Sequence, residues 1–573
     1  MTLLDRRDVD FLLHTWLKAG DLVDRETTDA ILDLSEKLAA ERFLDHFKRN
    51  DVEEPRLDDG QVRVCGAIGD ALAQYAELGL FSAGFPEEQG GLGLPYLLCS
   101  ASFAFFAAAN VATAAYPMLT VANARLIATF GSAAQFETFA RPEIEGRWFG
   151  TMCLSEPQAG SSLADVRTRA TPDGRDDLGD RYRLVGNKMW ISGGDQDVSE
   201  NIVHLVLAKV PNEHGALPEG TAGISLFIVP KILPDGSRND VAVAGLNHKM
   251  GYRGTANCLL NFGEQGGAVG WIVGQPGEGL RQMFLMMNEA RIGVGLGAAA
   301  LGYRGYRLSV AYARERLQGR PHGRRSGAPV PLIEHPDVRR MLLQQKAYVE
   351  GALALCLYCA RLVDTAEANG DDATLLGLLT PIAKTWPSEY GLLANDIAIQ
   401  IHGGYGYTRD FDVEQLWRDN RLNPIHEGTT GIQGMDLLGR KILSDGAGLP
   451  ILGRAIQQTV QATVAIPGLE GHAAALADAW RAVNDTIEGL RAREVRAALD
   501  NATPFLWAFG HVVVAWLWLD QAAAVQFASD DFADGKRRAC RYFFECELPK
   551  VEALLRFVAS GSDVASDAPI HIF

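Results

Sequence analysis

The run Pro424-Ile425-His426-Glu427-Gly428-Thr429-Thr430 sets one carboxylate among apolar and hydroxyl neighbours, directly before a glycine. Burial raises the pKa of such a Glu and suits it to take a proton from a weak carbon acid as a general base. A glycine-rich run, Gln400-Ile401-His402-Gly403-Gly404-Tyr405-Gly406-Tyr407, lies upstream. Two further stretches could hold a planar heterocycle. In Met152-Cys153-Leu154-Ser155-Glu156-Pro157-Gln158-Ala159-Gly160-Ser161-Ser162, Gly160 permits close backbone approach while Ser155 and Ser161 offer hydroxyls. In Lys188-Met189-Trp190-Ile191-Ser192-Gly193-Gly194, a Trp and a Ser two apart on an extended segment point the same way. The indole could then stack on a ring while the hydroxyl meets its edge. Each motif alone also has a plain structural reading: a turn glutamate, a strand-ending loop, a core tryptophan.

The elements that must carry these residues read as α, then β, then α. Within 1–150, the segments 26–42 and 62–80 space apolar residues by three and four, as helices do. Glycines and Pro86 break the pattern at 85–93. Segment 101–115 is apolar nearly all round, as in a helix buried between others. From about residue 150 the period changes. Short β-branched runs at 202–208, 223–229, 241–246 and 258–262, separated by Gly, Pro, Asn and Asp, predict a β domain ending near Gly277. Helices return at 281–316, 335–369 and 373–402. Within the last helical segment, Thr503-Pro504 reads as a cap followed by proline at the first helical position. The expected domains are 1–150 (N-terminal helical), 151–278 (middle β), 279–445 (helical bundle) and 446–573 (C-terminal helical extension). Trp507, Trp516 and Trp518 make the extension too apolar for a free tail, so it should pack on the body or on a second copy.

The chain has 573 residues, 47% of them hydrophobic and 22% charged, as in soluble multidomain proteins. A net charge of -17 argues against nucleic acid as the main partner. Eight cysteines in so long a chain are no disulfide framework, and Cys356 and Cys359 read as core thiols rather than metal ligands. The apolar runs 101–124 and 505–519 read as buried helices, since a membrane span needs ~20 apolar residues. No signal peptide is visible, no membrane insertion is expected, and the expected location is cytoplasmic.

Taken together, the motifs resemble the flavin-cradling pair of the acyl-CoA dehydrogenases, Thr-Glu-Pro-x-Ala-Gly-Ser-Asp followed by Lys-x-Trp-Ile-Thr/Ser. The resemblance continues in Asn288-Glu289-Ala290-Arg291, Tyr312-Ala313-Arg314-Glu315-Arg316-Leu317-Gln318, the run 400–404, and Glu427-Gly428-Thr429. Order and spacing hold over about 60–445. The length, the segment 194–208 and the extra C-terminal helices resemble the longer bacterial branch that includes 3-methylmercaptopropionyl-CoA dehydrogenase. The implied fold is α+β multidomain: an all-α N-terminal domain, a middle β-barrel or sandwich, a four-helix bundle, and the added helical extension. The implied activity is FAD-dependent α,β-dehydrogenation of an acyl-CoA thioester to the trans-2-enoyl-CoA, as in fatty-acid β-oxidation. Glu427 would take the α-proton while a hydride leaves for flavin N5.

The resemblance also assigns residues. Leu154, Ser155, Gly160, Ser161, Trp190, Ser192 and Thr429 would contact FAD, with Trp190 over one ring face and Ser192 near N5. Arg316 and Gln318 from one helix, with Gln400, Gly403 and Gly404, would complete the FAD site of a neighbouring subunit. Ser161, Asn288, Arg291 and Gly428 would face the substrate. The thioester oxygen would accept from the N–H of Glu427 and from a flavin hydroxyl. Some members place the acid directly before the helix arginine. Here that position is Ala290, and Glu289, one residue off, would point elsewhere. The implied partners are an acyl-CoA, an electron-transfer flavoprotein, and copies of the chain in a homodimer or dimer of dimers. Competing readings are an acyl-CoA oxidase and a DNA-associated flavoprotein of the AidB type, against which the acidic charge counts. The chain departs from the pattern at Ser155, Ser162, Gly319-Arg320, His426 (where a Tyr often precedes the base) and Gly431.

Overall fold

Residues 3–321 and 323–573 are described by the computed structural model, without the side chains of 285–288. They form two units: Ala30–Ala290, and Met1–Asp29 together with Arg291–Phe573. The chain passes from one to the other inside the helix Gly279–Glu315.

In the unit Ala30–Ala290, Asp59 and Gly60 take φ of 50° and 74° and turn the chain between strands Arg56–Asp58 and Gln61–Arg63. Two consecutive positive φ values match the twist of a tight hairpin, which Asp-Gly supplies at low cost. The helix expected from residue 62 therefore starts only at Gly66 and runs to Glu77, and the all-helical reading of 1–150 needs this correction. The expected apolar helix is longer than its run, Tyr96–Phe130, with a break at Asn110 (φ -162°, ψ 89°). There the Asn110 side chain accepts from Thr113 N at 3.4 Å and donates to Phe43 O at 3.1 Å, so a side chain occupies the broken turn.

The middle domain is an eight-stranded sheet in the order Ala268–Ile272, Ile224–Pro230, Asn201–Lys209, Arg169–Asp176, Gly179–Ser192, Asn257–Phe262, Val241–Leu246, with Trp148–Cys153 parallel to Asn201–Lys209. Ala268–Ile272 also pairs with Gly179–Ser192, so the sheet closes on itself. Strands Asn201–Lys209 and Ile224–Pro230 are buried throughout, which is why they read as continuous apolar runs. Trp148–Cys153 and Ala268–Ile272 are also buried nearly throughout, but each is short and interrupted by a glycine, while Arg169–Asp176 and Gly179–Ser192 are partly solvated and lack that signature. Gly150 lets the first of them lie against the long helix: a Cβ there would sit 2.4 Å from Asn123 Cβ, while Asn123 Nδ2 donates to Thr151 O at 3.0 Å and Val203 O at 2.9 Å.

In the other unit, helices Gly279–Glu315, Pro336–Thr365 and Gly370–His402 appear where expected. Cys356 and Cys359 are buried in the second of them, and burial pushes both thiols up. The extension packs on these helices. Trp518 donates to Ala347 O at 3.1 Å, Tyr348 donates to Glu547 at 2.8 Å, and Trp386 donates to His511 at 3.3 Å. Its apolar helix begins at Ala502, so Thr503 and Pro504 lie inside the first turn rather than at the cap and first position. Among the described residues, two helices, Tyr96–Phe130 and Ala502–Ala524, are long and apolar enough to cross a membrane; their most apolar windows are 89% and 83% buried in the protein.

Candidate functional site

The loop after Trp148–Cys153 is folded by one carboxylate. Glu156 accepts from Arg167 N (2.8 Å), Thr168 N (3.0 Å), Thr168 Oγ1 (2.5 Å) and Lys188 Nζ (2.9 Å). Burial alone would raise its pKa, but the Lys188 ammonium and these donors outweigh it and hold the carboxyl down at about 2. Lys188 is itself fully buried and donates a second bond to Leu154 O at 3.0 Å. Ser155 O accepts from Met189 N at 2.9 Å. The loop 154–162 is thereby tied to the strand Gly179–Ser192, and Ser155 is brought beside Trp190. Sequence reasoning quoted Glu156 and Lys188 without giving them a role. Their signal was a charged residue adjoining each half of the motif pair.

Trp190 has φ of 66°, rare for a bulky residue, and sits at a bulge: Lys188 pairs with Leu260, and Ile191 pairs with Cys258. The simple alternation expected to aim Trp190 and Ser192 alike is interrupted by that extra residue. Trp190 is nonetheless presented outward, 59% exposed. Ser192 lies two residues on and accepts from Asn257 Nδ2 at 3.4 Å. Gly160 and Ser161 are exposed, and nothing stands within 4 Å of where a Gly160 Cβ would be. An exposed indole on a rigid strand beside partly buried hydroxyls and an open loop fits a planar ring system carrying a phosphorylated arm.

In the other unit, Glu427 and Gly428 take φ of 52° and 90° in succession. A Cβ on Gly428 would meet Gln433 Nε2 at 2.5 Å, so that position needs glycine on two counts. The strained pair is pinned from several sides. Lys384 Nζ donates to Asn423 O (2.6 Å) and Gly428 O (2.8 Å), Gln433 Nε2 donates to Glu427 O (3.0 Å), and Thr430 N donates to Pro424 O (3.2 Å). Among the described residues, none accepts from the Glu427 N–H. Burial pushes the Glu427 carboxyl up, against the opposing pull of Lys384 and Arg291. Burial, reinforced by Lys384, pushes His426 down to about 3, so it is a neutral hydrogen-bonding group facing Asn423 Oδ1 at 3.1 Å.

Arg291 is 4% exposed and donates to Asp436 at 3.0 Å, and its Nε has no partner among the described residues. Asn288's side chain lies outside the described residues. Glu289, the rival carboxylate, is paired with Arg125 at 3.0 Å. The Thr429 hydroxyl accepts from Ile432 N at 3.4 Å as the cap of helix Thr430–Met435. Arg316 and Gln318 lie past the helix, which ends at Glu315, a correction to their expected placement. They form a short extended arm held by Leu332 N to Arg316 O and Gln318 N to Val330 O, both at 2.9 Å. Gln400, Gly403 and Gly404 are exposed at the end of Gly370–His402, and the Arg316 guanidinium lies 5.7 Å over the ring of Tyr405 in that same turn. An exposed cation beside an open glycine turn suits an anionic group brought from outside this chain.

Four family models cover most of the sequence: "Acyl-CoA dehydrogenase, N-terminal domain" at 26–147, "Acyl-CoA dehydrogenase, middle domain" at 151–264, "Acyl-CoA dehydrogenase, C-terminal domain" at 277–443, and "Acetyl-CoA dehydrogenase C-terminal like" at 453–569. The chain is 37% identical over 487 residues to 3-methylmercaptopropionyl-CoA dehydrogenase of Ruegeria pomeroyi, spanning 81% of this chain and 80% of that one. It is 34% identical over 536 residues to the broad-specificity linear acyl-CoA dehydrogenase FadE5 of Mycobacterium tuberculosis, spanning 88% and 85%. The crystal structure of an acyl-CoA dehydrogenase from Bacillus anthracis complexed with FAD superposes with a TM-score of 0.78 at 20% identity, covering 96% of this chain and 90% of that one.

Proposed function

The chain belongs to the acyl-CoA dehydrogenase family, and on that premise we propose that Glu427 is the base that takes the α-proton from a bound acyl-CoA thioester. The cofactor of the family is FAD, which when bound accepts the hydride leaving the β-carbon. The observation that carries the assignment is the Glu427–Gly428 pair. Its left-handed backbone leaves the Glu427 N–H without an acceptor among the described residues, beside a carboxyl whose proton affinity is raised. A carbonyl oxygen accepting from that N–H would be polarised as the α-proton leaves, which lowers the barrier to enolisation. Arg291 and Gly428 border the same loop and are assigned to the substrate side, together with Asn288 and Ser161. The raised carboxyl needs water excluded, and the acyl chain itself would do this on binding.

Leu154, Ser155, Gly160, Ser161, Trp190, Ser192 and Thr429 are assigned to FAD. The fixed indole orients the ring plane, and the serine hydroxyls bond its edge. The exposed Arg316, Gln318, Gln400, Gly403 and Gly404 are assigned to the FAD of a second copy, which makes the working enzyme a homodimer or a dimer of dimers. Arg316→Ala should accordingly lose FAD on gel filtration while keeping its melting temperature within a few degrees, because the side chain is exposed and makes only one aromatic contact. A monomer by light scattering that still holds one FAD per chain would contradict the shared site.

An electron-transfer flavoprotein is the proposed acceptor of the electrons. The test of the whole reading is anaerobic bleaching of the bound flavin by a panel of straight-chain acyl-CoAs together with 3-methylthiopropionyl-CoA. Bleaching by at least one member is expected; a yellow protein that none of them bleaches would overturn the reading. An oxygen-electrode trace run alongside separates a dehydrogenase from an oxidase.

A further inference from the structure

We propose that Lys384 is a positioning residue for the base: its ammonium pins the carbonyls on both sides of Glu427 and supplies the cation against which the Glu427 carboxylate forms. Lys384 is fully buried inside the helix Gly370–His402. Both of its hydrogen bonds go to neutral carbonyls, Asn423 O at 2.6 Å and Gly428 O at 2.8 Å, which lie before and after the base in the chain. Two carbonyls could be satisfied by an amide or by backbone N–H groups. A buried ammonium is the expensive way to do it, because desolvating a charge costs several kcal/mol unless a counter-charge is near. The carboxylates whose charge favours its protonated form are Glu427, the stronger, and Glu389.

The neighbouring charges support this. Arg291, from Gly279–Glu315, is matched by Asp436, which also accepts from Arg440 at 2.6 Å. Glu389, one turn along from Lys384, accepts from Thr430 Oγ1 at 2.5 Å. His426 is held neutral, and burial, reinforced by the Arg440 charge, brings Lys441 down against the pull of Asp436. Lys384, for its part, has both of its hydrogen bonds on carbonyls and none on a carboxylate. Its influence is mutual with Glu427. Burial brings the lysine down to about 8 against the pull of Glu427 and Glu389, and the lysine restrains the rise of Glu427 that burial causes. The ammonium thus favours the carboxylate form of the base, the form that accepts a proton; without that charge, burial would raise Glu427 further.

The proposal rests on the reading of Glu427 as the base, and the experiment keeps the two apart. Lys384→Gln keeps donors without charge, and Lys384→Met keeps the stem alone. In the FAD-loaded enzyme without substrate, the protonated-carboxyl infrared band that Glu427→Gln removes is titrated in wild type and in both variants. Its midpoint should rise by about one pH unit or more in each variant, a tenfold or greater change in the proton equilibrium. The pH profile of flavin reduction should move by the same amount, with the rate of the Gln variant recovering at alkaline pH. A merely structural lysine would lower the rate at every pH and leave both midpoints in place. An unmoved infrared midpoint in variants that still bind FAD overturns the proposal. If Glu427→Gln reduces flavin normally, the base reading fails while the infrared shift still decides the role of Lys384. The reciprocal measurement needs no lysine variant. Glu427→Gln should lower the titration of a buried lysine Nζ followed by nitrogen-15 NMR, since coupling between two sites is symmetric. No lysine moving in that spectrum also overturns the proposal.

Discussion

Glu427→Gln should keep the fold, the FAD and acyl-CoA binding, and should lose flavin reduction by about 10²–10⁴-fold, the usual size of a general-base effect. Gln is nearly isosteric and retains the backbone N–H. The pinning bonds from Lys384, Gln433 and Thr430 all end on backbone carbonyls, so none of them depends on the replaced carboxylate. An amide cannot accept the α-proton at neutral pH. Bypass by a neighbour is closed off structurally. His426 is neutral but faces Asn423, and Glu289 is held by Arg125. Stopped-flow flavin reduction gives the rate, and the spectral shift on binding gives affinity separately. Reduction at the wild-type rate would remove Glu427 as the base. Loss of binding as well would show a collapsed loop, and the carboxyl-free variant Glu427→Ala, lacking the amide, would then be compared for the same binding signal.

The proposed catalytic loop was legible because its residues are consecutive: the carboxylate, the glycine after it and the capping threonine are adjacent in the chain. What holds the loop was not legible. Lys384 sits more than a helix away in sequence, inside an apolar stretch where a lone lysine carries no pattern. The buried strands were visible as apolar runs. Arg169–Asp176 and Gly179–Ser192 were missed because one face is solvated and charged, and only the pairing register reveals them. The Asp59-Gly60 hairpin carried its signal in plain view, yet the helical spacing around it masked the turn. Trp190 was a candidate from its spacing to Ser192, but its left-handed backbone and the bulge that aims it depend on a partner strand some seventy residues away.

The C-terminal extension was expected to pack on the body or on a second copy, and the structure shows where its charge is anchored. Lys536, in helix Asp531–Tyr542, is fully buried and meets Asp8 at 2.5 Å and Glu350 at 3.0 Å, while Glu350 also pairs with Lys346 and Tyr303 donates to Asp8 at 3.0 Å. Three separate parts of the chain thus meet in one balanced set of two carboxylates and two ammoniums. Lys536→Met should therefore destabilise this unit by about 3–5 kcal/mol, because removing one member leaves a buried carboxylate without its partner. The deficit should depend on pH. Burial, then repulsion from Glu350, already pushes Asp8 up to about 6 in the folded protein, above its value of 3.8 outside it. A group whose folded pKa is raised binds protons more readily when folded, so its contribution to stability falls as pH rises through that interval. Taking away the Lys536 charge raises Asp8 further and removes one of the two ammoniums that hold Glu350 down. The variant should therefore melt well below wild type at neutral pH and recover part of the difference as pH falls toward about 6, because its Asp8 protonates before that of wild type and the repulsion with Glu350 lapses. Paired thermal melts of the FAD-loaded proteins across that interval measure it. A deficit below 1 kcal/mol, or one that stays constant with pH, would show that the cluster is not a charge-balanced anchor, and that the extension is held by ring packing such as that of buried Trp518 and half-buried Phe532.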